Sequence, residues 1–116
     1  MTLQWTVFQA NLDPTTGREQ AGERPVLVVS AEPLNERYDV VTTIPLTSRK
    51  AGREPRLGEV LLQAGIGGLK QDSIALCYQV RALDKSRLGR PYGRISDKDL
   101  QTEISDTLAE CLDIGY

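Results

Sequence analysis

Leu12-Asp13-Pro14-Thr15-Thr16-Gly17-Arg18-Glu19-Gln20-Ala21-Gly22-Glu23-Arg24-Pro25-Val26-Leu27-Val28-Val29-Ser30 is the most unusual stretch of this 116-residue chain. A dense polar loop, punctuated by Asp-Pro and Gly, runs through Arg24-Pro25 directly into an apolar, β-branched run. Pro25 fixes its own φ and biases Arg24 towards an extended conformation, so the loop has a defined end. Residues 25–30 therefore read as a strand buried on both faces. On physical grounds alone, Arg24 can equally point into water or serve a site.

Outward from this stretch, strands recur on both sides. Residues 5–11 read as a first strand. Residues 39–46, rich in Val, Thr and Ile, read as another, with Pro45 near its end, where a missing N–H is tolerated. A basic, Gly- and Pro-containing loop over 48–56 leads to a strand at 58–63 and a turn at Gly65, Gly67 and Gly68. Residues 73–83 alternate: Ile74, Leu76, Tyr78 and Val80 share one face, and Ser73, Ala75, Cys77, Gln79 and Arg81 the other. This predicts a half-buried strand whose polar face lines a groove, with Tyr78 on the apolar side.

The period then changes. Ser96 is expected to cap a helix whose first turn carries Asp97 and Asp99. Leu100, Ile104, Thr107, Leu108, Cys111 and Leu112 form its apolar stripe, and Gly115 is the expected stop. Strands followed by one covering helix predict a mainly β domain, single over residues 1–116.

Composition narrows the chemistry. The chain has 14 Lys and Arg, 16 Asp and Glu, two Cys and no His. Without His there is no Ser-His or Cys-His pair within the chain and no imidazole titrating near neutrality. Cys77 and Cys111 lack zinc-site spacing and read as small core residues. No apolar run is long enough to cross a bilayer, and the opening residues lack a signal-peptide pattern, so a cytoplasmic location is expected. Residues 1–96 carry 13 cations against 10 acids, while 97–116 carry Lys98 against six acids. Ten of the 14 cations are Arg, the type that grips phosphate and carboxylate in a planar fork. Charge thus allows an anionic partner without demanding one.

The wording of the opening stretch goes further. Asp13-Pro14-x-x-Gly17-x-Glu19-Gln20-x-Gly22-x-Arg24-Pro25-x-Leu27-Val28 resembles the MazF/PemK family of toxin endoribonucleases. The resemblance continues through Asn35, Pro45-Leu46-Thr47-Ser48, Gly68-Leu69-Lys70-Gln71-Asp72-Ser73, Cys77-Tyr78-Gln79-Val80-Arg81, Leu83 to Gly89, and the helix after Ile95-Ser96-Asp97. It covers nearly the whole chain in order.

That resemblance implies a mainly β fold with a C-terminal helix, an SH3-like barrel of the CcdB/PemK type, working as a homodimer. It implies cleavage of single-stranded RNA, often mRNA, with neither metal nor other cofactor. It also implies neutralisation by a cognate MazE-like antitoxin whose flexible tail occupies the RNA groove. By the same resemblance Arg24 and Thr47 are the catalytic Arg and Thr, Glu19 stands with them, and Gln79 lies close by. Arg18, Gln20, Ser48, Arg49, Gln79 and Arg81 are the expected RNA-binding residues.

These residue types suit such chemistry. An RNA 2′-hydroxyl can attack the neighbouring phosphorus, leaving a 2′,3′-cyclic phosphate and a free 5′-hydroxyl. Arg and Thr can stabilise the charge that builds on the phosphoryl oxygens. Arg stays protonated and makes a poor base. Glu19 could take the 2′-OH proton, bind a nucleobase, or fix Arg24. The chain departs from the family at Gln4-Trp5-Thr6, Asn11 and Arg18, which bears on RNA sequence preference. Two other functions fit the same fold: a non-catalytic, CcdB-like gyrase poison, and an inactive module that binds RNA or antitoxin. The Arg24-Pro25 and Thr47 constellation favours catalysis over the gyrase poison, since a pure binder has no need of it; an inactive module would keep the same pattern.

Overall fold

The computed structural model describes residues 2–115. Its organising element is the nine-residue strand β3 (Val40–Ser48), which pairs with three others. Around it lie β1 (Thr6–Asn11), β2 (Glu23–Val28), β4 (Glu59–Leu62), β5 (Ser73–Leu76), β6 (Arg81–Asp84) and β7 (Leu88–Arg94), all antiparallel. The sheet runs in the order β4-β5-β3-β2-β1-β7, with β6 also on β3. A short helix, α1 (Glu32–Arg37), links β2 to β3, and α2 (Lys98–Leu112) ends the fold.

The two ends of this sheet meet. The 3-10 turn Ile66–Gly68 after β4 reaches β7, the strand at the opposite edge. A Cβ on Gly68 would stand 2.2 Å from the Tyr92 carbonyl oxygen, and one on Gly93 would stand 3.0 Å from the Gly67 carbonyl carbon. Backbone against backbone thus closes the sheet on itself, which only glycine permits at Gly68, where φ is also +74°.

Both faces of β2 are buried from Val26 to Val28, the part of its apolar run that lies in the strand. Leu27 joins Val7, Ile44, Leu46, Leu62, Ile95 and Ile104 in one core. Val26 and Val28 join Phe8, Leu12, Val41 and Leu83 in a second. At roughly 1.5–3 kcal/mol for each fully buried aliphatic side chain, these two clusters hold the strands that present the polar residues described below.

The alternating segment 73–83 is not one strand. β5 and β6 are two halves of a single antiparallel partner of β3, interrupted by a 3-10 turn at Cys77–Gln79. Ser48 faces Ser73 before the turn and Thr43 faces Arg81 after it, so eight steps on one chain answer five on the other. The odd offset breaks the two-residue parity. Tyr78, expected on the apolar face, is 55% exposed.

Three further expectations are corrected. Asp97, not Ser96, caps α2, because its carboxylate accepts the N–H groups of both Asp99 and Leu100. The helix ends at Leu112 with Asp113 in the left-handed conformation (φ 55°), a geometry Asp tolerates, so Gly115 is not the stop. Leu112, placed in the apolar stripe, is exposed, while Gln101 is buried and donates to the Ile95 carbonyl. β7 and α1 had no strong signal in the sequence. Gly89, Pro91 and Gly93 disfavour a strand, and β7 tolerates them as an edge strand.

The cysteines are core residues, as expected. Cys77 is fully buried and Cys111 packs on the same cluster; both are free thiols. Burial, with the nearby Cys111 adding to it, pushes the Cys77 thiol up to about 12. Among the described residues no helix is long and apolar enough to cross a membrane.

Candidate nucleic-acid interface

The β2–β3 ladder runs from Val28–Thr43 to Val26–Pro45 and stops. Pro25 and Pro45 bring no N–H to continue it. Beyond that point β3 turns to β5, with Thr47 opposite Ile74, while β2 stays with β1, with Arg24 opposite Ala10. Extending the interrupted register by two residues places Arg24 across from Thr47, on the same face as Val26 and Pro45. The two prolines therefore open the sheet where the two candidate catalytic residues stand.

The opening is a cleft of about 530 Å³. Arg24, Thr47 and Ser48 line it together with Gln9 of β1, Lys70, and Arg90 and Tyr92 of β7. Arg24 is half-buried, and its Nε donates to the Ala21 carbonyl at 3.0 Å. This fixes the side chain by its stem and leaves the terminal guanidinium N–H groups without a hydrogen bond among the described residues. The Thr47 hydroxyl likewise has none. Three cations face one acid, Glu23, so the cleft suits an anion that brings its own acceptor oxygens.

Arg18, Glu19, Gln20, Gln79 and Arg81 gather elsewhere, in a second concavity of about 380 Å³ that also includes Tyr78. Here the polar groups are largely spent on one another. The Gln79 amide accepts the Gln20 N–H at 2.8 Å and donates to the Arg18 carbonyl at 3.3 Å. Arg81 donates to the Leu12 carbonyl. Glu19 accepts the Thr16 N–H at 2.6 Å, closing a turn within its own loop. The structure thus brings Arg24, Thr47 and Ser48 together and sets Glu19 apart from them.

Arg49 lies in neither cleft. It donates to the carbonyls of Gly52 and Arg53 and pairs with Glu54 and Asp72. Next to it Arg53 grips Glu59, whose side chain is 2% exposed, through both carboxylate oxygens at 2.9 and 3.0 Å. Burial pushes the Glu59 carboxyl up, but the Arg53 and Arg56 hydrogen bonds and charges outweigh it and hold the group below the usual carboxylate range. The basic loop at 48–56 is therefore internally neutralised at Arg49 and Arg53.

Sequence reasoning missed Gln9, Lys70, Arg90, Tyr92 and Arg87. Arg87 donates to the carbonyls of Asn11 and Asp13 and so holds the near end of the 12–22 loop. The Arg cluster over 81–94 was the available signal, but β7, which carries Arg90 and Arg94, could not be read as a strand.

A small antiparallel sheet closed on itself, covered by a C-terminal helix and split by a cleft lined by Arg24, Lys70 and Arg90, defines the class: a compact β-domain with a cationic cleft. The chain belongs to the family described as the PemK-like, MazF-like toxin of type II toxin–antitoxin systems, whose model matches residues 3–112. It is 35% identical to Endoribonuclease MazF9 of Mycobacterium tuberculosis, covering 98% of each chain. It is also similar to the crystal structure of MazF from Deinococcus radiodurans, with a TM-score of 0.78, 28% identity, and 95% and 94% of the two chains covered. A mycobacterial endoribonuclease solved in complex with its cognate antitoxin shares the fold, with a TM-score of 0.79 at 21% identity over 100% of this chain and 99% of that one. The antiparallel sheet with a C-terminal helix matches the fold that the sequence resemblance implied.

Proposed function

We propose that residues 1–116 act as a single toxin domain that cleaves single-stranded RNA, mRNA included, and is neutralised by a cognate MazE-like antitoxin. The relatives named endoribonuclease support this reading, and so does the relative solved with its antitoxin. The protein works as a homodimer in the cytoplasm. The observation that carries the chemistry is that Arg24 and Thr47 line one cleft of net positive charge where the β2–β3 ladder has ended, each with unspent donors.

In this reading the RNA 2′-oxygen attacks the adjacent phosphorus and the 5′-oxygen leaves, giving a 2′,3′-cyclic phosphate and a 5′-hydroxyl. Arg24 and Thr47 stabilise the phosphoryl oxygens as charge accumulates. Ser48, at the exposed end of β3, extends the RNA path, and Arg49, paired with Glu54 and Asp72, holds the loop behind it. Of the three roles open to Glu19, its placement with Arg18, Gln20, Gln79 and Arg81 favours contact with a nucleobase of the same strand.

The test is incubation of the purified protein with a long defined single-stranded RNA in the presence of EDTA, with 5′ ends mapped beside Arg24→Ala. Discrete cuts that disappear in a normally folded Arg24→Ala establish the reading. Intact RNA from folded wild-type protein transfers the weight to gyrase binding, and loss of cutting in EDTA with rescue by a divalent ion overturns the metal-free chemistry.

A further inference from the structure

Arg90 and Tyr92 stand on β7, on the far wall of the Arg24 cleft, and the chemistry described so far does not use them. The Arg90 guanidinium carbon lies 5.4 Å from the centroid of the Tyr92 ring. Tyr92 is itself held: its hydroxyl donates to the Gln9 side-chain carbonyl at 2.5 Å, and its backbone abuts Gly68. Stacking fixes a guanidinium through its face and leaves its edge N–H groups available. Arg90 has no ion pair or hydrogen bond among the described residues. It is a donor fork already oriented by its neighbour and left without an acceptor.

We infer that Arg90, seated on Tyr92, grips a second backbone phosphate of the nucleic-acid strand, next to the phosphate held by Arg24. The inference rests on the RNA-cleaving reading for its substrate and deepens it by adding a subsite. Strand order places the two Arg residues on opposite walls: β3 and β2 bring Thr47 and Arg24, β1 intervenes with Gln9, and β7 brings Arg90. A chain crossing that width offers successive phosphates, and a volume of about 530 Å³ accommodates more than a single phosphate group. Arg90 is on this account a binding and positioning residue that leaves the reacting atoms to Arg24 and Thr47.

The molecule contains its own control. Arg37 lies 5.7 Å from the Tyr38 ring in the same kind of stack, but on α1 and outside both clefts. The probe is a short mixed-sequence single-stranded RNA, 2′-O-methylated throughout so that the attacking hydroxyl is blocked. Its affinity is measured against salt for wild type, Arg90→Ala, Tyr92→Leu and Arg37→Ala. Each lost phosphate contact should make the log–log salt slope shallower by about 0.7 for a single strand. Arg90→Ala should show that change, with affinity roughly tenfold weaker at low salt. Tyr92→Leu should show part of it, and Arg37→Ala none.

On cleavable RNA, Arg90→Ala should raise KM and leave kcat close to wild type. An unchanged slope in Arg90→Ala overturns the inference, as does an equal change in Arg37→Ala, which would reflect net charge alone. The two readings fail separately. A wild type that cuts RNA while Arg90→Ala keeps its slope sinks the subsite. A wild type that binds with an Arg90-dependent slope but never cuts keeps the subsite and sinks the ribonuclease.

Discussion

The two clefts are built from similar residues in opposite ways. In the first, Arg24, Thr47 and Arg90 are carried by strands, and apart from the Arg24 Nε bond to the Ala21 carbonyl their side-chain donors are left unspent. In the second, Arg18, Glu19 and Gln20 ride on a loop, and Gln79 and Arg81 spend their polar atoms holding that loop's backbone. A strand whose neighbours are fully buried can present an idle charged group in a fixed place. A loop without a core must use its polar groups to hold its own shape. The difference separates a site prepared for a ligand from a region whose donors must first be released to meet one.

The largest expected effect tests the strand-borne half. Thr47→Val keeps shape and β propensity but removes the hydroxyl, so cleavage should fall about 10²- to 10³-fold with thermal unfolding unchanged. Initial-rate assays beside a thermal melt check this, and a near-normal rate would show that Thr47 is only a strand residue.

The next effect lies outside both clefts and serves as their reference. Glu59→Gln leaves the half-buried Arg53 without its anion and should destabilise the fold by about 2–3 kcal/mol, below the full value for a buried pair because Arg53 is 26% exposed. Cleavage at permissive temperature should hold. The same pair predicts a pH dependence. Glu59 is held below its ordinary value of 4.5 in the folded state, so its contribution is complete above that value and is lost as pH falls through the folded pKa. Denaturant titrations from neutral to acid pH should show this loss in wild type and a flatter profile in Glu59→Gln.

The smallest effect is expected in the loop-borne half. Gln79→Ala removes two hydrogen bonds to the 12–22 loop and should cost about 1 kcal/mol, both bonds being partly exposed. Limited proteolysis should then nick the loop earlier than in wild type, while Thr47→Val keeps the wild-type pattern. Equal protection in Gln79→Ala would erase the distinction between the clefts.

How far these features were legible in the sequence follows the same division. β2 could be read because an unbroken apolar run needs only its own residues, and α2 because its apolar positions repeat at helical spacing. The 73–83 segment deceived because alternation persists in the letters through a turn of three residues, and nothing local announces the lost parity. Arg24 and Thr47 were legible through resemblance, and the reason they meet lies in two prolines whose effect depends on a pairing register. Arg90 and Tyr92 were hidden because their strand is made of residues that strands avoid, acceptable at an edge closed by glycine contacts.

Gln79, Arg81 and Arg87 hold the 12–22 loop through carbonyls, which every amino acid supplies, and one main-chain N–H, which all but proline supply. The fastening is therefore blind to the letters it fastens. Arg18, Thr15 or Ala21 can be exchanged over generations without loosening it, and each exchange presents a new side chain on the same main-chain frame. In this part of the molecule, inheritance can vary the outward side chains while the fastening beneath them stays the same.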